Sequence, residues 1–401
     1  MRVAISTSVM QRGKSGVGQY ILALIRALLE RRQHELVLLV LEEDVPLFAF
    51  ATGRAEIIVV PEKFRPAVKN ILWHHLTLPL LLKQLRIDVL HVPSYRRLLF
   101  RSPAALVATI HDLAPFHVKG KYDLARMFYG RVIVKRLAHR QDEVITISSN
   151  TAADVERFFG VSQKQSHVIL NGIDHARFRP GDRTQARQEA GRRWNLASPF
   201  FLYISRLEHP AKNHVRLIEA FSRFKAETGS DWLLALGGSD WHGAEHIHVA
   251  VAASPFASDI RCLGFVDDLS LPMLYRAADT MVYPSLFEGF GLPPAEAMAC
   301  GCPVLSSTRG SLAEVVSDAA EKLEPERVES ITEGLKRMAL DVPLRERLRA
   351  AGLVNSRRFD WNKNAEQVSQ VYESAYKKQR CLARQSAEQG AATVLPFTSP
   401  S

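Results

Sequence analysis

The chain has 401 residues, 47% of them hydrophobic, and a formal net charge of +10, an ordinary globular composition with length for two or three domains. Four irregularly spaced cysteines (Cys262, Cys300, Cys302, Cys381) exclude a disulfide framework and fit a reduced, cytoplasmic setting. No signal peptide precedes the first strand-like run, and no apolar run reaches the ~18 to 20 residues of a membrane span, so a soluble or peripheral protein is expected.

Short β-rich runs alternate with helical patterns along the chain. Residues 3–6 read as a strand and 16–30 as a helix, with Tyr20, Ile21, Leu24, Ile25, Leu28 and Leu29 three and four apart. Strands follow at 36–41, 56–60 and 89–92, with a helix near 66–85. The strand 106–110 ends at His111-Asp112. Residues 122–139 read as a basic helix and 144–147 as a strand. Ser149 can cap a helix that runs through Phe159 and stops at Gly160. Residues 168–170 lead into the turn Asn171-Gly172. A second series begins near Pro199: strand 200–204, helix 215–225, strands 232–236 and 262–265, helix 269–278 and strand 280–283. Strand 303–305 and helices at 327–340, 343–351 and 362–377 complete it. The expected fold class is α/β, two doubly wound Rossmann-like domains facing across a cleft, joined near 173–198. Ligands of such folds bind beyond the carboxyl ends of the strands.

The stretch Ser285–Gly301 carries the densest chemistry. It reads as a strand end, a Gly-rich loop and a helix N-terminus, with Pro293 and Pro294 suited to a first helical turn. Gly289 and Gly291 let a ligand approach the main chain, and the helix end attracts phosphate. Glu288 and Glu296 flank it, and carboxylates accept hydrogen bonds from ribose and hexose hydroxyls. The pattern therefore suits a nucleotide sugar better than phosphate alone. Arg206 and Lys212 follow the first strand of the second series, where two cations can neutralise a diphosphate leaving group. His111 can bond a sugar hydroxyl or phosphate. In the first loop, Gly13-Lys14-Ser15 resembles a phosphate-binding Walker A loop, but Ser8 stands where that motif wants glycine. The dinucleotide fingerprint fails on glycine order. A loop at Gly16 and Gly18 that closes over phosphate or sugar is the expected use. His242, Glu245, His246 and His248 match a zinc spacing, but in what reads as a variable loop or frayed helix start; no metal is expected.

Together these residues resemble the GT-B glycosyltransferases, retaining family 4. The family's donor signature is matched throughout by Glu288-Gly-Phe-Gly-Leu-Pro-Pro-Ala-Glu296, and its diphosphate-binding pair by Arg206 and Lys212. Leu263-Gly264-Phe265-Val266 resembles the segment around the nucleotide base, Asn171-Gly172-Ile173-Asp174 the turn closing the first domain, and Phe359-Asp360-Trp361 the start of a helix that crosses back. Where the family has Gly-Asp-Ala-Ala, this chain reads Ser317-Asp318-Ala319-Ala320. The resemblance implies an N-terminal acceptor-side domain (1–180), a nucleotide-sugar domain (181–360), a crossing helix (361–380) and a disordered tail (381–401). It implies retaining transfer of a hexose without a metal or other cofactor. Glu296 would hold the ribose and Glu288 the sugar, with the amides of Phe290 and Gly291, beside Leu292, nearby; Phe265 and Val266 would border the base. GDP-mannose is the first expected donor, with UDP-sugars, a soluble-sugar synthase and a UDP-N-acetylglucosamine epimerase as alternatives. The acceptor is expected to be a glycan or a polyprenyl-diphosphate-linked saccharide. Basic residues between Arg96 and Arg140 suggest an anionic membrane surface at the inner face of the plasma membrane as a partner, rather than nucleic acid.

Overall fold

The computed structural model describes residues 1–13, 15–117 and 129–392. Two parallel sheets form the frame. The first has seven strands: β1 (Arg2–Ser6), β2 (Glu35–Leu41), β3 (Glu56–Val60), β4 (Val89–Val92), β5 (Ala105–Ile110), β6 (Glu143–Thr146) and β7 (Ser166–Val168), in the order 3-2-1-4-5-6-7. The second has six: β8 (Phe200–Ile204), β9 (Leu233–Gly237), β10 (Ile260–Gly264), β11 (Thr280–Tyr283), β12 (Val304–Ser307) and β13 (Glu321–Leu323), ordered 10-9-8-11-12-13. The central strands are near-continuous apolar runs because helices cover both faces of a parallel sheet; β4, β5, β8 and β11 are buried at almost every position.

The helix Gly16–Arg31 shows how sequence sets these elements. Ser15 Oγ accepts from Gly18 N at 3.1 Å, Arg32 ends the helix in a left-handed conformation, and the apolar row from Tyr20 to Leu29 is buried. Elsewhere the boundaries move for local reasons. The span near 66–85 is two helices, Ala67–Leu76 and Leu78–Gln84, broken at Thr77 two residues before Pro79. The cap expected at Ser149 is Ser148, whose Oγ accepts from Thr151 N at 3.0 Å. The donor-loop helix starts at Leu292, so Pro293 and Pro294 lie in its first turn. Helix Arg183–Trp194 fills nearly half of the stretch read as a joint. Glu245, His246 and His248 lie on a formed helix, Ala244–Ala253, rather than in a variable loop. The terminal helix runs from Trp361 to Ala392 and so occupies 381–392, which had been expected to be disordered; 393–401 lie outside the described residues. Of the basic helix expected at 122–139, residues 122–128 also lie outside them, with Lys119, Lys121 and Arg126 of the charged patch; 129–138 is helical.

The chain crosses between sheets twice, and the crossings lie side by side. Ile173 pairs in parallel with Asp360, and Ile173 N donates to Phe359 O at 3.1 Å. A Cβ on Gly172 would sit 2.5 Å from Trp361, so glycine alone fits there. The terminal helix then packs on the first domain. Its Tyr372 hydroxyl meets His91 Nδ1 at 2.8 Å, and buried Glu143 accepts from Ser374 (2.5 Å) and pairs with Lys378 (2.8 Å).

Candidate active site

The carboxyl ends of β8 and β11 bring together residues far apart in sequence. Lys212 Nζ donates to Glu288 Oε1 at 2.6 Å, with both side chains mostly buried. Tyr283, the last residue of β11, donates its hydroxyl to the same oxygen at 3.0 Å. The Lys212 main chain is fixed too: the hydroxyl of buried Tyr203 donates to its carbonyl at 2.6 Å. Glu288 O accepts from both Ser311 N (3.0 Å) and Ser311 Oγ (2.9 Å). Gly310, at φ +63°, passes so close that a Cβ there would lie 2.5 Å from Glu288 O. The ion pair is thus held at the side chains and at the backbone.

Arg206, two residues beyond β8, is half-exposed. Its guanidinium pairs with buried Glu208 at 3.3 Å and lies over the Trp241 ring, 4.8 Å from the centroid. Glu296, on the donor-loop helix, accepts from the buried Tyr275 hydroxyl at 3.2 Å. Burial pushes the Glu296 carboxyl up to about 7, against the opposing pull of Arg177. The sequence pattern assigns no site role to Tyr283, Trp241 or Glu208, while Tyr275 lies in a stretch, Leu274 to Asp279, that resembles the family's segment around the nucleotide base. Tyr283 carried a usable signal, a polar-tipped aromatic closing a buried strand just before the loop.

The first domain faces this loop directly. A Cβ on Gly289 would lie 2.3 Å from His111 O and 2.7 Å from Asp112 Cβ. Ser148 Oγ donates to Gly289 O at 3.2 Å, and the His117 and Phe287 rings stack at 4.4 Å. Glu314 accepts from Ser149 N (2.7 Å) and Ser149 Oγ (3.1 Å), a carboxylate at the start of a helix from the opposite domain. His111 Nε2 meets Pro93 O at 3.1 Å, and a carbonyl only accepts, so Nε2 carries the proton and Nδ1 is left as an acceptor. Burial pushes the His111 imidazole down to about 4, despite the opposing charge of Asp112, and keeps it neutral at pH 7.

The remaining expected residues are more dispersed. Gly291, at φ +97°, caps the donor-loop helix, with Phe290 buried against Phe359 and Leu292 opening the helix. Gly18 packs on Met10 O, while space is open around Gly16 at the helix start; Lys14 lies outside the described residues. Val266 packs near Gly237, whereas Phe265 is 74% exposed beyond β10.

Residues 184–354 match the family model for glycosyl transferases group 1, and 14–177 match that for glycosyltransferase family 4. The O-antigen chain mannosyltransferase B of Escherichia coli is 27% identical over 392 residues, covering 93% of this chain and 99% of that protein. An MMP alpha-(1->4)-mannosyltransferase of Mycolicibacterium hassiacum is 32% identical over 260 residues, covering 63% of this chain and 59% of the relative. In three dimensions the sucrose-phosphate synthase of Thermosynechococcus elongatus superposes with a TM-score of 0.77 at 19% identity, over 94% of this chain and all of that one.

Proposed function

The chain belongs to the GT-B glycosyltransferases of group 1 and family 4, and on that premise we propose that it moves mannose from GDP-mannose to a growing surface glycan, with retention at the anomeric carbon. The observation that carries this reading is the Lys212–Glu288 pair, 2.6 Å apart at the strand ends, with Gly289 seated against His111 of the facing domain. In this reading Lys212 and Arg206 take up charge as the bond from anomeric carbon to diphosphate breaks. Glu288 accepts from sugar hydroxyls, His111 Nδ1 accepts from one on the opposite side, and Glu296 accepts from the ribose. The acceptor oxygen bonds to the anomeric carbon on the face the diphosphate leaves, and the acceptor proton passes to the departing phosphate oxygen. The mannosyl choice is supported by the two mannosyltransferase relatives. The acceptor is read as a glycan or a polyprenyl-diphosphate-linked saccharide.

Thermal shifts across GDP- and UDP-sugars, followed by proton NMR of the product, test the proposal. Stabilisation by GDP-mannose and an α-configured product are expected. Preferential stabilisation by a UDP-sugar overturns the donor assignment, and a trapped glycosyl–enzyme adduct overturns same-face attack.

A further inference from the structure

The crossover between β3 and β4 carries acidic residues only at its two ends, Glu62 and Asp88. From Lys63 to Ile87 there is no Asp or Glu, against Lys63, Arg65, Lys69, Lys83 and Arg86. The helices Ala67–Leu76 and Leu78–Gln84 lie within it. Their inner face is well packed, with Asn70, Trp73, His74, Leu78 and Leu82 buried. The outer face is apolar as well. Val68, Leu72, Leu76 and Leu80 recur every fourth residue and are 70%, 52%, 68% and 71% exposed. Helical residues four apart lie on one face, which aligns Val68, Leu72 and Leu76, while Leu80 stands on the next helix beyond the break at Thr77. Lys63, Lys69, Lys83 and Arg86 of the same crossover are exposed.

A row of large apolar side chains facing water, with four exposed cations on the same crossover, has two demands: cover for the apolar area and a counter-charge. An anionic lipid surface meets both, since apolar side chains enter the acyl boundary while Lys and Arg remain at the headgroups. A water-soluble partner would need a complementary groove rimmed with acid, and a second copy of this chain would bring the same positive charges against themselves. Like charges so placed repel.

The position of the row adds a use. On its inner side, His74 Nε2 meets Ser6 Oγ at 2.9 Å, at the end of β1 where the Gly-rich loop begins. The exposed row is thus separated from the cleft side of the first sheet by one helix, ~10 to 12 Å across. We propose that Val68, Leu72, Leu76 and Leu80, with the exposed cations of the same crossover, form the face by which the protein docks on an anionic bilayer and brings the cleft to a lipid-anchored acceptor. The docking presupposes the lipid-linked acceptor of the proposed function.

Co-sedimentation of the full chain with phosphatidylethanolamine–phosphatidylglycerol vesicles, with phosphatidylcholine vesicles as comparison, tests this. The native chain is expected to pellet with the anionic vesicles and remain in solution with the neutral ones. Leu72→Ser/Leu76→Ser is expected to lower the bound fraction roughly tenfold or more. Because both leucines are exposed, circular dichroism and slow release of nucleotide from donor without acceptor should match the native chain. Lys69→Glu/Lys83→Glu should lower binding too. Equal binding by native and serine variants overturns the proposal, as does equal binding to neutral vesicles. So does a native dimer in sedimentation equilibrium that the serine pair dissociates while neither form pellets. Loss of nucleotide release in the native chain strikes the proposed function and leaves vesicle binding to be read separately.

Discussion

At pH 7 Glu296 stands near half-protonation, because burial lifts its carboxyl to about 7 while Arg177 draws it back. In the proposed ribose-holding role the carboxylate is the better form, since protonation turns one of its acceptor oxygens into a donor. Donor KM should therefore rise as pH falls through about 7, and Glu296→Gln should flatten that dependence; initial rates across pH 5.5 to 8.5, roughly spanning the titration, check this. The stability consequence has the opposite sense. The folded chain holds a proton that the unfolded carboxyl, at its ordinary 4.5, releases, so this group's contribution is present below about 4.5 and is lost as pH rises to about 7. Residue identities here were legible: Glu288 and Glu296 flank glycines after a buried strand, and Arg206 and Lys212 follow another. Their immediate partners were not. Trp241 over Arg206 and Tyr203 under Lys212 are contacts between segments that local pattern does not link.

Local backbone geometry explains a departure seen in the sequence. Ser317 sits at φ 49°, ψ −133°, in the position where the family pattern has glycine. A side chain there is strained by ~1 to 3 kcal/mol. Ser317→Gly is expected to raise unfolding free energy by about 1 kcal/mol, read by urea denaturation. Gly289 presents the reverse case. Gly289→Ala would drive a methyl into the His111 carbonyl across the cleft. Its kcat should fall on the order of 10²-fold with an unchanged melting temperature, because the clash lies between domains. Helix Arg183–Trp194 escaped sequence reading because it buries only Ala186 and Ala190 and has no apolar stripe. It is fixed instead by Arg183 and Arg187, which both pair with Asp279. Residues 381–392 escaped for a related reason: a polar stretch continues a helix already anchored upstream.

Across the whole molecule, the alternating pattern made two wound sheets legible, while their approach was not, since Gly289–His111 and Ser149–Glu314 join residues more than 160 apart in chain order. The basic stretch from Arg96 to Arg140 also divides in space. Arg101, Arg136 and Arg140 line an open hollow of about 880 Å³ near the start of β5, whereas His111 follows its end. No helix among the described residues is long and apolar enough to cross a membrane. The terminal helix couples the lobes through Glu143, which accepts from Ser374 and pairs with Lys378 and His167. Glu143→Ala should destabilise the chain by ~1 to 3 kcal/mol, seen as a lower melting temperature. Whether fixed cations at the cleft drive departure of the diphosphate is decided by turnover at saturating donor in Arg206→Ala and Lys212→Ala. Each variant should lose roughly 10²- to 10³-fold in kcat while still binding donor; native turnover in both would contradict the account.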